Sequence, residues 1–202
     1  KDAPMMLEKT KDLYRTHPAF WWDENNNGKV DEGETLAGIW VGKFETTGDE
    51  TMPTILPNVI SNRGDDLNSK FTTSLKFSNG SFNNSTGAVI FSDASNGVSL
   101  TGTTYGLGIN ADSHMMKNSE WGAVAYLSHS LYGKNYEVAQ NTNSSYKTGG
   151  NNYVANVLQS TTGNITGVYD MSGGSYEYVM GNYANKVGSS GLSSVDSSKY
   201  VD

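Results

Sequence analysis

The sequence contains no cysteine, which removes disulfide bonds, thiolate zinc sites and every thiol-based mechanism. A cysteine-free chain is at home in reducing and oxidising compartments alike, so this absence sets no location. Charge is scarce too, at 17% of residues, and unbalanced: 14 lysines and arginines face 21 aspartates and glutamates. The net charge of −7 argues against a nucleic-acid partner, whose binders carry a basic face. No stretch approaches the roughly 20 apolar residues that a membrane-crossing helix needs, so no membrane span is expected. No signal peptide opens the sequence, as expected where an export signal has been removed beforehand.

What the chain does have is glycine, serine, asparagine and threonine, which fill the space left by only 36% hydrophobic residues. Such a mixture is poor in helix formers and rich in turn formers. Twelve tyrosines, six phenylalanines and four tryptophans nonetheless oppose disorder, because disordered chains are short of aromatics. With 202 residues a sizeable core is within reach. No internal repeat or composition break divides the chain, so residues 1–202 read as one α+β domain with much irregular structure.

Residues 1–20 read as a short helix, with Pro4 in its first turn, stopped at His17-Pro18. Leu36–Thr46 carries Ile39 and Val41 on one face and Trp40 and Phe44 on the other, the pattern of a strand buried on both sides. Residues 58–95 suggest long loops with brief strands or short helices. Residues 112–131 give the best helix, capped by Asp112 or Ser113, spaced by Met116, Trp121, Val124, Ala125 and Leu131, and followed by Gly133. A polar loop spans 139–163.

The strongest local signal is D-E-N-N-N-G-K-V-D-E-G-E at 23–34. Oxygen-bearing side chains fall at loop positions 1, 3, 5, 9 and 12, on Asp23, Asn25, Asn27, Asp31 and Glu34. Lys29 offers its carbonyl at position 7. Gly28 occupies position 6, where the chain turns sharply, and Val30 occupies position 8, which points inward. This spacing fits Ca2+, a hard ion that takes six to eight oxygens, two of them from Glu34. A solvated acidic turn would also use Asn and Asp, but it does not require glycine, an apolar residue and glutamate at those three places. Helices are not expected on either side, so the loop reads as an isolated calcium staple. Two asparagines among the ligands lower its charge, which favours a weaker, extracellular type of site.

Other motifs carry less. His17, His114 and His129 lack metal-site spacing, and Asp112, Ser113 and His114 lie too close in sequence to form a catalytic triad. Arg63-Gly64-Asp65 spells an adhesion tripeptide, but three common residues in a polar loop coincide readily. The tyrosine, serine, asparagine and glycine content is that of antibody-type binding loops, with Asn135–Tyr153 and residues 78–96 as the candidate recognition surface. Solvent-exposed filler has the same composition.

Three segments in order, GIWVGKFETTG at 38–48, NSEWGAVAYLS at 118–128 and GNITGVYDMSGGSYEYV at 163–179, resemble the formylglycine-generating-enzyme (sulfatase-modifying factor) family. They are similar to its "gKyEVT", "EAEWEyAAR" and "yGLyDMsGNvWEW" motifs. The third keeps Gly167, Tyr169, Asp170, Met171, Ser172, Gly173 and Glu177, with Tyr176 and Tyr178 where tryptophan is usual. The resemblance implies a C-type-lectin-like fold. It also implies a second calcium site, with side-chain oxygens from Asp170 and Glu177 and carbonyls from Gly173 and Ser175. Catalysis in that family depends on copper-binding cysteines, which are missing here, so the resemblance implies a fold without the enzyme.

The wording of the motifs is similar to that of surface or phage-encoded proteins of Gram-positive bacteria. The expected function is therefore a non-enzymatic, calcium-stabilised binding or display protein, on the bacterial or virion surface or extracellular. Its partners would be a glycan or a host or cell-surface protein. The alternative is a self-assembling structural subunit of a pilin-like filament or a virus particle.

Overall fold

A computed structural model describes residues 18–21, 25, 27, 29–78, 80–83, 88–91, 98–100, 103–105, 112–181, 190–192 and 200. The helix expected before residue 17 lies outside these residues. Pro18–Phe20 forms a single 3-10 turn.

The first regular pair is β1 (Thr47–Gly48) with β2 (Pro53–Thr54), antiparallel, with Thr47 opposite Thr54. Asp49 closes the turn between them, its Oδ1 accepting from the Thr51 and Met52 amides at 2.8 and 2.9 Å. Gly48 is required there: its φ is +80°, and a Cβ would stand 2.4 Å from the Met52 carbonyl oxygen.

Helix α1 (Leu67–Leu75) starts where Asp66 accepts the Ser69 amide at 2.8 Å. Its residues Leu67, Phe71 and Leu75 repeat every four positions and so line one face. Phe71 and Leu75 are completely buried and form the main apolar cluster with Met115, Met180, Leu192 and Tyr200. This is a small core, drawn from segments far apart in sequence.

Strands β3 (Gly80–Asn83) and β4 (Ala88–Phe91) form an antiparallel hairpin, as do β5 (Val98–Leu100) and β6 (Thr103–Tyr105). Each sheet among the described residues has two strands. Helix α2 (Asn118–Tyr126) is shorter than the pattern suggested. Asp112 and Ser113 do not cap it, because Ser113 Oγ donates to the carbonyls of Ser74 and Leu75 and Asp112 pairs with His114. Instead the Glu120 carboxylate accepts the Lys117 amide at 2.8 Å. After the 3-10 turn Leu127–His129 the chain reverses at Gly133, where a Cβ would lie 2.3 Å from the Leu127 and Ser128 carbonyl oxygens.

The expected doubly buried strand at 36–46 is not formed. Leu36 is exposed and Trp40 wholly so, and regular pairing begins only at Thr47. The segment is held at its two ends: the Leu36 amide donates to the Phe20 carbonyl, Lys43 accepts from the Tyr169 amide, the Glu45 amide donates to Thr148 Oγ1, and Thr46 accepts from the Asn62 amide. Further along, residues 58–61 and 146–148 exchange backbone hydrogen bonds, from Asn58 to Thr148, Ser61 to Tyr146 and Thr148 to Val59. Phe44 packs against Tyr153 and Tyr169, with ring centroids 5.2 and 5.3 Å away. Residues 139–163 are irregular, as expected, apart from a 3-10 turn at Val157–Gln159.

Candidate functional site

In the loop predicted to hold calcium, Asp23 and Gly28 lie outside the described residues. The rest is drawn inward on Asp31. Asn25 and Asn27 both donate their side-chain amides to Asp31 Oδ2, at 2.8 and 2.6 Å. Asn25 Oδ1 accepts the Asn27 amide and Asn27 Oδ1 accepts the Lys29 amide, two consecutive side-chain turns that coil the loop. These asparagine contacts hold the Asp31 carboxyl below its ordinary range. Glu34 is buried, and its Oε2 accepts the Asp31 amide at 2.8 Å. The Leu36 amide bonds the Phe20 carbonyl and Trp21 bridges Thr35, so the two ends of the loop are clasped together. Asn25 and Asn27 thus gather on the Asp31 carboxylate, and Glu34 on the Asp31 amide.

The second predicted set lies in the third motif. Asp170 is buried with φ +56°, a left-handed conformation that side chains other than glycine seldom adopt. Its Oδ2 accepts the Gly149 amide, while Oδ1 is enclosed without a hydrogen-bond partner. Gly173 and Gly174 follow with φ +81° and +74°. A Cβ on Gly173 would stand 2.3 Å from the Asn141 carbonyl oxygen, so this close approach admits only glycine. The Asn141 amide bonds the Ser172 carbonyl, and the Gly174 amide bonds the Asn141 carbonyl.

A residue that the sequence reading did not select joins them. Glu45 Oε1 accepts the Ser175 amide at 3.3 Å, Glu45 Oε2 accepts Ser61 Oγ, and a Cβ on Gly174 would come within 3.2 Å of this carboxylate. Burial, with repulsion from Asp170, pushes the Glu45 carboxyl up to about 7 against the pull of the Ser61 hydrogen bond. Glu177 rises to about 8, from desolvation first and then from Glu45 and Asp170. The Glu177 residue is exposed, and the Trp121 side chain hydrogen-bonds its carboxyl. Desolvation also raises Asp170, against the favourable polar groups of Gly149, Asn141 and Thr148. Asp170 thus opposes the ionisation of Glu45, both oppose that of Glu177, and Asp170 Oδ1 and Ser175 Oγ are buried without a hydrogen-bond partner. Crowded carboxyls of this kind are chemistry that a hard cation such as Ca2+ would relieve. No group of three or more His, Cys, Asp or Glu side chains is placed to hold a metal among the described residues.

Arg63-Gly64-Asp65 is engaged within the chain. The Arg63 guanidinium lies 3.7 Å from the centre of the Tyr146 ring, and Asp65 pairs with Lys70 at 2.9 Å. Exposed apolar side chains gather elsewhere. Tyr126, Leu127, Leu131, Tyr132 and Tyr136 follow one another from the end of α2, with Leu131 91% and Tyr132 81% exposed. Lys134 ties this stretch to the next exposed segment by donating to the Leu158 carbonyl, with its Nζ 4.9 Å from the centre of the Tyr136 ring. Val154, Leu158 and Ile165 are exposed as well. Of this exposed surface only Tyr136 belongs to the predicted recognition loop Asn135–Tyr153, and residues 78–96 lie largely outside the side chains described. No helix among the described residues is long and apolar enough to cross a membrane. No family model, curated protein or solved structure matches the chain.

Proposed function

We propose that the chain is a non-enzymatic, calcium-stabilised binding or display domain of C-type-lectin-like architecture, presented on a bacterial cell or virion surface. The observation that carries the proposal is the run of exposed aromatic and aliphatic side chains from Tyr126 to Tyr136, continued by Leu158. Soluble proteins seldom leave so many large apolar groups together in water without a partner to cover them. Tyrosines supply rigid contact area with a polar tip, which suits a glycan ring or a host or cell-surface protein. Ca2+ is proposed at Asp23, Asn25, Asn27, Asp31, Glu34 and the Lys29 carbonyl. A second ion would be held by Asp170, Glu177 and the carbonyls of Gly173 and Ser175. Its role would be to neutralise the crowded carboxyls and fix the loops, with no part in a reaction.

A self-assembling subunit would use the same exposed surface against identical chains. Sedimentation of the purified chain, beside a glycan and host-cell binding screen, separates the two readings. A monomer that captures a glycan or cell-surface protein, and loses it on Tyr132→Ala with Tyr136→Ala, supports the binding domain. An obligate multimer dispersed by the same substitutions supports the subunit.

A further inference from the structure

His114 sits between two carboxylates ahead of α2. Its Nδ1 is 3.3 Å from Asp112 Oδ1, and its Nε2 is 3.2 Å from Glu120 Oε1 and 3.3 Å from Oε2. Its side chain keeps only 19% of its surface in water, and that of Glu120 only 5%. A neutral imidazole has one N–H, so it can satisfy one of these carboxylates and must turn a lone pair towards the other. The protonated ring satisfies both. Against the same ring packs Tyr200, edge to face, with centroids 5.5 Å apart. Tyr200 is itself buried and meets Phe71 at 6.1 Å, so it belongs to the main apolar cluster.

We propose that His114 is a cationic latch: the protonated ring, gripped by Asp112 and Glu120, holds Tyr200 in the core, and loss of that proton releases it. The titratable and charged groups around the ring are Asp112 from the preceding segment, Glu120 and Lys117 at the start of α2, and the Tyr200 phenol. Deprotonation leaves Asp112 and the buried Glu120 facing a ring that can donate to one of them and turns a lone pair on the other, with Lys117 the charge that still favours Glu120. That arrangement is relieved by opening the segment and admitting water, which uncovers the face on which Tyr200 rests. Burial opposes the charge on the ring, and the two carboxylates outweigh it, so its pKa stands at about 9 against an ordinary 6.5. A folded value above the unfolded one means that this stabilisation is complete below pH 6.5 and is lost as pH rises through 9. The latch is thus closed at neutral pH and opens in alkali.

The absence of cysteine makes the test direct, because Asp202→Cys creates a single position for a fluorophore two residues beyond Tyr200. Fluorescence anisotropy of the labelled full chain is followed from pH 7 to 10, with the ring nitrogen signals of His114 read by NMR in parallel. Anisotropy should fall with the same midpoint, near 9, as the ring titration. His114→Arg, which keeps a cation at every pH used, should hold its anisotropy to pH 10. His114→Gln should show low anisotropy already at pH 7. If that variant does not fold, the comparison of wild type with His114→Arg decides alone. A ring midpoint near 6.5, or an anisotropy profile in His114→Arg that matches wild type, overturns the latch. The second outcome would assign the change to tyrosine or lysine ionisation.

Discussion

At the scale of single residues, Asp170 and Gly173 are the most constrained positions. Asp170 has one buried carboxylate oxygen without a hydrogen-bond partner, and its charge opposes the ionisation of Glu45 and Glu177. In chelator, Asp170→Asn should therefore stabilise the protein by about 1 kcal/mol, because a buried repulsion disappears while the shape is kept. With Ca2+ present the order should reverse, since the variant forfeits the stabilisation that a bound ion gives the native state, about 2.7 kcal/mol at a hundredfold excess over Kd. Thermal melts of both proteins with and without calcium read the crossing, and an Asn variant that melts lower in chelator refutes it. Gly173→Ala should cost about 3 kcal/mol or leave the protein unfolded. A positive φ alone costs about 1–3 kcal/mol, and here the Asn141 backbone stands where the methyl group would go. Gly38, whose Cβ would meet nothing, is the control that should tolerate alanine.

At the scale of elements, α1 is held by its buried face. Phe71→Ala should lower stability by about 3–5 kcal/mol, since the completely buried ring touches a cluster recruited from residues 115, 180, 192 and 200. Urea denaturation of the variant against Tyr126→Ala, an exposed residue on α2, measures the contrast. The 170–177 loop and the Glu45 segment share an electrostatic conflict that has a pH signature. Glu45 and Glu177 bind protons more tightly in the fold, at about 7 and about 8, than at their ordinary 4.5. Above pH 4.5 the native state therefore holds more protons than the unfolded chain, and stability falls as pH rises through 7 and 8. Melts in chelator should show this decline between pH 5 and 8, and Glu45→Gln should flatten it. A stability that climbs over that interval contradicts the placement of these carboxyls.

At the scale of the whole molecule, the described residues are joined chiefly by loop-to-loop hydrogen bonds, and the regular elements are few and short. Asn141 bridges the 170–174 loop, Tyr169 Oη donates to the Tyr153 carbonyl at 2.9 Å, and Thr148 spans Val59, Asn58 and Glu45. A fold held mostly by polar contacts between loops gains much from ions that cross-link them. Saturating calcium should raise the melting temperature, and Glu34→Gln and Asp170→Asn should each remove part of the rise. No calcium-dependent shift in any of the three proteins would end the calcium proposal.

The local chemistry was written in the sequence. The contacts among Asn25, Asn27, Asp31 and Glu34 each span six residues or fewer, so they depend on local spacing that the sequence displays. The Gly173-Gly174 pair announced a turn with positive φ for the same reason: the constraint is steric and local. Helix α2 was visible, but its start was not. Asp112 and Ser113 are good caps in isolation, and distant partners took their side chains. Trp40 looked like core in an alternating pattern, and no strand forms there among the described residues to bury it. Glu45 is 130 positions from Ser175, and His114 meets Tyr200 from the far end of the chain. The raised pKa of Glu45 comes from lost water and from the Asp170 charge brought close through space, and the ring contact of His114 with Tyr200 comes from the same meeting of distant segments. Neither exists until the chain has folded, so tertiary structure alone decides them.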